Sequence, residues 1–204
     1  MKRIAVLASG NGSNLQALIE QLHVPNSPVE VGLVVANVAS AYALTRGREA
    51  GIASFFVPHE GKGNRQAYEQ RLVQLLKEHK TDFVCLAGFM RLLSSCFLSA
   101  FPNRVLNVHP SLLPSFPGIR APEQALRAGV KLTGCTVHLV DEGMDTGPIL
   151  AQAAVPVLEG DDLASLTSRI QSVEHRLYPQ VARLFAEERV RRNNAHFFLD
   201  GWSL

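Results

Sequence analysis

The sequence has few cysteines, almost no net charge and no long hydrophobic run, and each shortage removes a class of protein. Three cysteines, Cys85, Cys96 and Cys135, occur in 204 residues. They form no Cys-x-x-Cys pair and sit among apolar neighbours, which reads as reduced thiols of a cytoplasmic protein, with no disulfides expected. Lys and Arg total 20 against 18 for Asp and Glu, a net charge of +2. That balance supports neither a polyanion-coating surface nor a solvating acidic tail, so no nucleic-acid partner is expected and affinity for anions must be local. No apolar stretch approaches the ~20 residues that cross a bilayer. The run Ile4–Leu7 after Met1-Lys2-Arg3 is interrupted by Ser9-Gly10-Asn11-Gly12 before it reaches the length of an export signal. A soluble chain with no membrane partner is the expectation.

What is present fills one core. With 47% hydrophobic residues, the chain reads as a single domain, 1–204, without internal repeat, low-complexity tract or linker. Ile4 to Leu7 is a short continuous apolar run ended by a glycine turn, as in a strand buried on both faces of a parallel sheet. Leu15, Leu18, Ile19 and Leu22 then recur at helical spacing and stop near Pro25. Val29–Ala36 reads as the second strand, Ala41–Ala50 as a helix ended by Gly51, and Ala53–Val57 as the third strand. A helix through Tyr68, Leu72, Leu75 and Leu76, a strand at Phe83–Leu86, a short helical stretch and a strand at Val105–Val108 continue the alternation. Strand, helix, strand in this order predicts an open, mostly parallel, doubly wound (Rossmann-like) α/β sheet with helices on both faces. Thr133–Val140 and Ile149–Val157 have no room for a helix between them and should pair antiparallel. Asp161 or Asp162 should cap a long helix through Leu163, Leu166, Ile170, Val173 and Leu177, kinked or broken at Pro179.

Ser9-Gly10-Asn11-Gly12-Ser13-Asn14 lies between the first strand and the first helix, where backbone N–H groups and the helix dipole favour a phosphate. A dinucleotide fingerprint would need a small residue where Leu15 stands and an acid where Asn37 stands, and no Lys-Ser/Thr closes a triphosphate loop. A tight turn that uses glycine only for backbone freedom, with Ser13 or Asn14 capping the helix, explains the same residues.

Asn107 and His109 stand two apart at the end of a strand, so their side chains share a face, while Pro110 ends the ladder. An amide and an imidazole at the carboxyl end of a sheet strand occupy the usual ligand crevice of such sheets. The amide can donate to a developing oxyanion, and the imidazole can donate or move protons. With no Gly-x-Ser-x-Gly elbow, direct attack of one substrate on another fits better than an acyl-enzyme. A histidine satisfied by backbone groups is the alternative. Asp141-Glu142-Gly143-Met144-Asp145-Thr146-Gly147-Pro148 brings carboxylates to a turn, where Asp145 is placed to orient His109 and favour its imidazolium form, or where the acids are simply solvated. His138, Asp145 and His109 match no zinc or calcium spacing, so no metal is expected. Leu86 to Leu93 puts Gly88 where a flat ring can approach the backbone, although Phe89, Met90, Leu92 and Leu93 serve equally as core and Arg91 as surface charge.

Together, SGNGSN at 9–14, LAGFMRLL at 86–93, NVHPSLLPSFPG at 107–118, DEGMDTGPI at 141–149 and QSVEH at 171–175 resemble the phosphoribosylglycinamide formyltransferase family almost end to end. The 107–114 segment is shared with the wider group that uses formyltetrahydrofolate, whereas the glycine-rich start and the compact length favour this member over forms with a further C-terminal domain. The resemblance implies formyl transfer from 10-formyltetrahydrofolate, as co-substrate, to glycinamide ribonucleotide in purine biosynthesis, by a cytoplasmic monomer or homodimer. It implies that residues 1–100 hold the ribonucleotide phosphate and 101–204 carry catalysis and folate binding. Gly12, Ser13, Asn14 and Glu174 are then the ribonucleotide contacts. Arg65, Met90, Arg91, Leu92, Leu93, Asn107, Asp141, Glu142, Gly143, Met144 and Asp145 face the folate. Asn107, His109 and Asp145 match the catalytic trio, and His138 a supporting histidine. Arg120 departs from the small polar residue or histidine that members often carry there. A formyltetrahydrofolate hydrolase, using the same trio with water, and a non-catalytic folate- or nucleotide-binding module are the alternatives.

Overall fold

The Ile4–Leu7 run lies within strand β1 (Lys2–Ala8), in which every residue from Ile4 to Ala8 is buried. Such a strand needs cover on both edges. β2 (Val29–Ala36) and β4 (Phe83–Leu86) pair with it in parallel, and β3 (Ser54–Phe56) pairs in parallel with β2, giving the order β3-β2-β1-β4. Helices α1 (Ser13–Leu22), α2 (Tyr42–Glu49) and α3 (Arg65–Glu78) alternate with these strands, and α4 (Ser95–Ala100) follows β4. These coordinates are a computed structural model that describes residues 1–59, 65–193 and 196–201.

β5 (Val105–His109) is followed by α5 (Ala121–Ala128), then by β6 (Leu132–Leu139) and β7 (Ile149–Pro156), which pair antiparallel as expected. The long helix α6 (Leu163–Ala186) packs on β6 and β7. Its N-terminus is closed by a capping box: Asp162 accepts from the Ser165 N–H at 2.7 Å and the Ser165 hydroxyl accepts from the Asp162 N–H at 3.0 Å. A hairpin of β8 (Val190–Asn193) and β9 (His196–Leu199) follows. The chain divides into two compact units, Met1–Leu106 and Asn107–Leu204, where the resemblance to the family divides it by role at residue 100. The fold is the α/β, mostly parallel, formyltransferase-like architecture expected, with its antiparallel pair near the C-terminal end.

Two expectations are corrected, and one helix is added. Pro179 does not break α6, which runs unbroken through it. A proline inside a helix costs about 3 kcal/mol, but Ile170, Leu177, Tyr178, Val181 and Ala182 on the same helix are all buried, and their packing holds the turn together. Of the cysteines, only Cys85 and Cys135 sit in the core, because Cys96 is exposed on α4. The short helix α5, absent from the sequence reading, starts at Arg120 in left-handed conformation (φ 58°) with Pro122 in its first turn.

Candidate active site and glycine turn

Strand β5 delivers Asn107 and His109 to one face, and β6 delivers His138. The β6–β7 loop adds Asp145, whose backbone adopts φ 56°. That loop turns so tightly that a Cβ on Gly147 would lie 1.9 Å from the Leu139 carbonyl oxygen. All four side chains belong to the second unit, and they converge.

His138 is 2% exposed. Its Nδ1 lies 2.8 Å from the Leu139 carbonyl oxygen, which can only accept, so Nδ1 carries the proton. Burial holds the imidazole below its ordinary value, against the Leu139 carbonyl and the Asp145 carboxylate, which act the other way. The ring is therefore neutral, Nε2 presents a lone pair, and the Asn107 amide nitrogen 3.1 Å away donates to it. This fixes which end of the Asn107 amide is NH2 and leaves it a second N–H.

His109 is also buried, with Nε2 2.9 Å from the Phe116 carbonyl oxygen and Nδ1 3.4 Å from Asp145 Oδ2. Both nitrogens face oxygen acceptors. The same Asp145 oxygen accepts the Gly118 N–H at 2.7 Å, while its Oδ1 stands 3.8 Å from His138 Nε2. The loop that supplies Phe116 and Gly118 is pinned from below. Thr136 Oγ1 accepts the Leu113 N–H at 3.0 Å and donates to the Ser111 carbonyl at 2.7 Å, and Gln152, its cross-strand partner on β7, donates to the Leu113 carbonyl at 2.8 Å. An amide N–H and an imidazole on one face of a strand, with a carboxylate behind the ring, can stabilise the oxyanion of an acyl transfer and manage its proton.

Elsewhere in this unit, Asp141 Oδ1 accepts from the Gly143 N–H and the Thr146 hydroxyl at 3.1 and 2.7 Å, which curls the turn and leaves Glu142, Gly143 and Met144 exposed. Glu174 is buried on α6, where its charge adds to burial in pushing the Cys135 thiol up to about 12. Arg120 is solvent-facing, with its nearest carboxylate, Glu123, 3.7 Å away. Among the described residues no group of three or more His, Cys, Asp and Glu side chains is arranged to hold a metal ion, and no helix is long and apolar enough to cross a membrane.

In the first unit, Gly12 is the N-cap of α1 at φ 76°, a left-handed conformation glycine adopts without strain, and no side chain caps the helix. The first-turn N–H groups of a helix have no intrahelical acceptor, so an anion suits this end. Ser9 ties the turn to its surroundings: its hydroxyl donates to Asn37 Oδ1 at 2.7 Å and accepts the Met90 N–H at 2.9 Å, and its N–H donates to the Gly88 carbonyl at 3.1 Å. A separate cavity of about 300 Å³ is lined by His59, Arg65, Tyr68, Glu69 and Met90 to Leu93. Arg65 is held there by Glu69 at 3.1 Å and by the Leu92 carbonyl at 2.8 Å. The Tyr68 hydroxyl has no hydrogen-bond partner among the described residues, and burial pushes it up to about 12. Sequence reasoning missed Thr136, Gln152, the Phe116 carbonyl and the tie from Glu69 to Ser94, because the partners lie 7 to 39 residues away and no local motif announces them.

The family model for formyl transferases matches residues 2–182. The phosphoribosylglycinamide formyltransferase of Bacillus subtilis is 44% identical over 90% of this chain and 94% of its own length. The trifunctional purine biosynthetic protein adenosine-3 of Drosophila pseudoobscura is 48% identical over 94% of this chain, which spans only 14% of that much longer relative. In three dimensions the glycinamide ribonucleotide transformylase 1 of Symbiobacterium toebii is similar at TM-score 0.94 and 48% identity, over 98% of this chain and 94% of its own.

Proposed function

Because the chain belongs to the formyl transferase family and is a group-transfer enzyme like its phosphoribosylglycinamide formyltransferase relatives, we propose that it moves the formyl group of 10-formyltetrahydrofolate to the amine of glycinamide ribonucleotide. The first unit takes the ribonucleotide phosphate at Gly12, Ser13 and Asn14, and Glu174 engages the same substrate. The folate lies against Arg65, Met90 to Leu93, Asn107 and the 141–145 turn. Both substrates are small molecules, so a cytoplasmic enzyme, monomer or homodimer, serves without nucleic acid or membrane.

The neutral amine attacks the formyl carbon, and the carbonyl oxygen becomes an oxyanion. Asn107 donates the N–H that His138 does not take. His109 turns its Nε2–H from the Phe116 carbonyl to the oxyanion, with its charge balanced by Asp145. The attacking nitrogen loses a proton, which passes through water to the leaving folate nitrogen as the carbon–nitrogen bond breaks. The observation that carries this reading is the convergence of Asn107, His138, Asp145 and His109 within 3.8 Å links.

The test is to incubate purified protein with 10-formyltetrahydrofolate, with and without glycinamide ribonucleotide, and follow both deformylation and the mass of the ribonucleotide. Deformylation that depends on the ribonucleotide and adds one formyl group to it is expected. Equal deformylation without it makes water the acceptor and overturns the transferase reading.

A further inference from the structure

Arg46 on α2 is not among the residues assigned to either substrate, yet its guanidinium is spent almost wholly on the glycine turn. Nε donates to the Asn11 carbonyl at 3.0 Å, one terminal nitrogen to the Asn11 side-chain oxygen at 3.0 Å and the other to Gln16 Oε1 at 3.0 Å. The plane lies over the Tyr42 ring, 4.8 Å from its centroid, which fixes the guanidinium from one side. Two further links join α2 to the turn. The Ala43 N–H donates to the Gly10 carbonyl at 3.2 Å, and the Ala43 side chain occupies the space into which a Cβ on Gly12 would project, 2.8 Å away. One helix thus contacts three successive residues of the turn, 10, 11 and 12, and reaches the first helical turn of α1 through Gln16.

We propose that Arg46 is a positioning residue for the ribonucleotide: by holding the Asn11 carbonyl and side chain back against α2, it keeps the N–H groups at the start of α1 turned outward for the phosphate. The inference rests on the phosphate assignment made above. A flexible glycine turn has many backbone states, and a phosphate that must first select one of them binds more weakly by the fraction so populated. Arg46 removes that selection before the substrate arrives. Lysine cannot replace it, because a single ammonium cannot present the fork that reaches a carbonyl, an amide oxygen and Gln16 together.

The experiment compares Arg46→Ala, Arg46→Lys, Asn11→Ala and the Arg46→Ala/Asn11→Ala double variant in steady-state kinetics with each substrate varied. Arg46→Ala and Arg46→Lys should raise KM for glycinamide ribonucleotide by on the order of tenfold, as loss of charge-assisted hydrogen bonds does, with kcat and the KM for 10-formyltetrahydrofolate nearly unchanged. The double variant should be no worse than Arg46→Ala, since both changes remove the same restraint. Effects that multiply in the double variant would mean that Arg46 acts independently of Asn11 and would overturn the proposal. An unchanged ribonucleotide KM, or an equal loss in kcat and both KM values, overturns it as well. Should Arg46→Ala fold poorly, the Asn11→Ala variant at an exposed position carries the same prediction. Failure of the parent protein to use the ribonucleotide at all is a separate outcome, which sinks the transferase reading rather than the role of Arg46.

Discussion

The Asn107 amide nitrogen lies 3.1 Å from His138 Nε2, and the protonation of His138 at its other nitrogen makes that contact directional. An imidazole locked with its proton on Nδ1 can only accept at Nε2, so the amide has one allowed orientation. The Asn107 amide is thereby aimed by a buried ring.

Asn107→Asp tests this directly. The carboxylate has no N–H for the oxyanion, and it faces the lone pair of a neutral imidazole. Loss of one oxyanion donor costs ~10²–10³ in kcat, and at least that is expected here. Turnover within tenfold of the parent, in a variant whose fold is verified by circular dichroism, would contradict the role given to Asn107.

His109→Ala removes both a donor and an acid–base group, so kcat should fall by more than the ~10²–10⁴ expected for acid–base help alone, with little change in ribonucleotide affinity. Asp145→Asn should also lose turnover, for a different reason. An amide at this position can still accept the Gly118 N–H but no longer presents a negative charge to His109. Near-parental turnover in Asp145→Asn would detach Asp145 from His109.

The apolar runs make β2 and β4 legible residue for residue: β4 is buried throughout, and β2 is interrupted only by the half-buried Glu30 and Gly32 after Pro28 marks its start. The two-residue spacing of Asn107 and His109 is enough to place them on one face of β5. What was not legible is what holds that face in position. Thr136 and Gln152 look like ordinary β6 and β7 residues in sequence, and only the antiparallel register sets them side by side beneath the 111–113 backbone. Pro179 misled for the converse reason: local propensity predicted a break, and burial of the helix face overrode it.

Stability should depend on pH through His138. Burial holds its folded-state imidazole below the ordinary 6.5, so as pH falls through about 6.5 the unfolded chain takes up a proton that the folded protein does not. The unfolded state then binds more protons, and stability falls with decreasing pH. His138→Gln removes the titration while keeping an amide near Asn107. Urea midpoints of parent and variant, measured from pH 8 to pH 5, should converge toward the acid end of that range. Parallel curves would show that His138 does not remain neutral in the folded protein.

Gly12→Ala is expected to fail twice over. The residue sits at φ 76°, where an L side chain costs about 1–2 kcal/mol. Its new Cβ would also stand 2.8 Å from Ala43 Cβ and 3.0 Å from Ala43 Cα, atoms fixed to the α2 backbone that cannot swing aside. Gly10→Ala is the matched comparison, because nothing lies within 4 Å of a Cβ there and the backbone is not left-handed. In urea unfolding Gly12→Ala should therefore lose more than 1–2 kcal/mol, while Gly10→Ala loses little. Since relief of the Ala43 contact must displace either α2 or the turn, Gly12→Ala should also raise the ribonucleotide KM. Equal stability of the two variants would mean that α2 does not brace the turn.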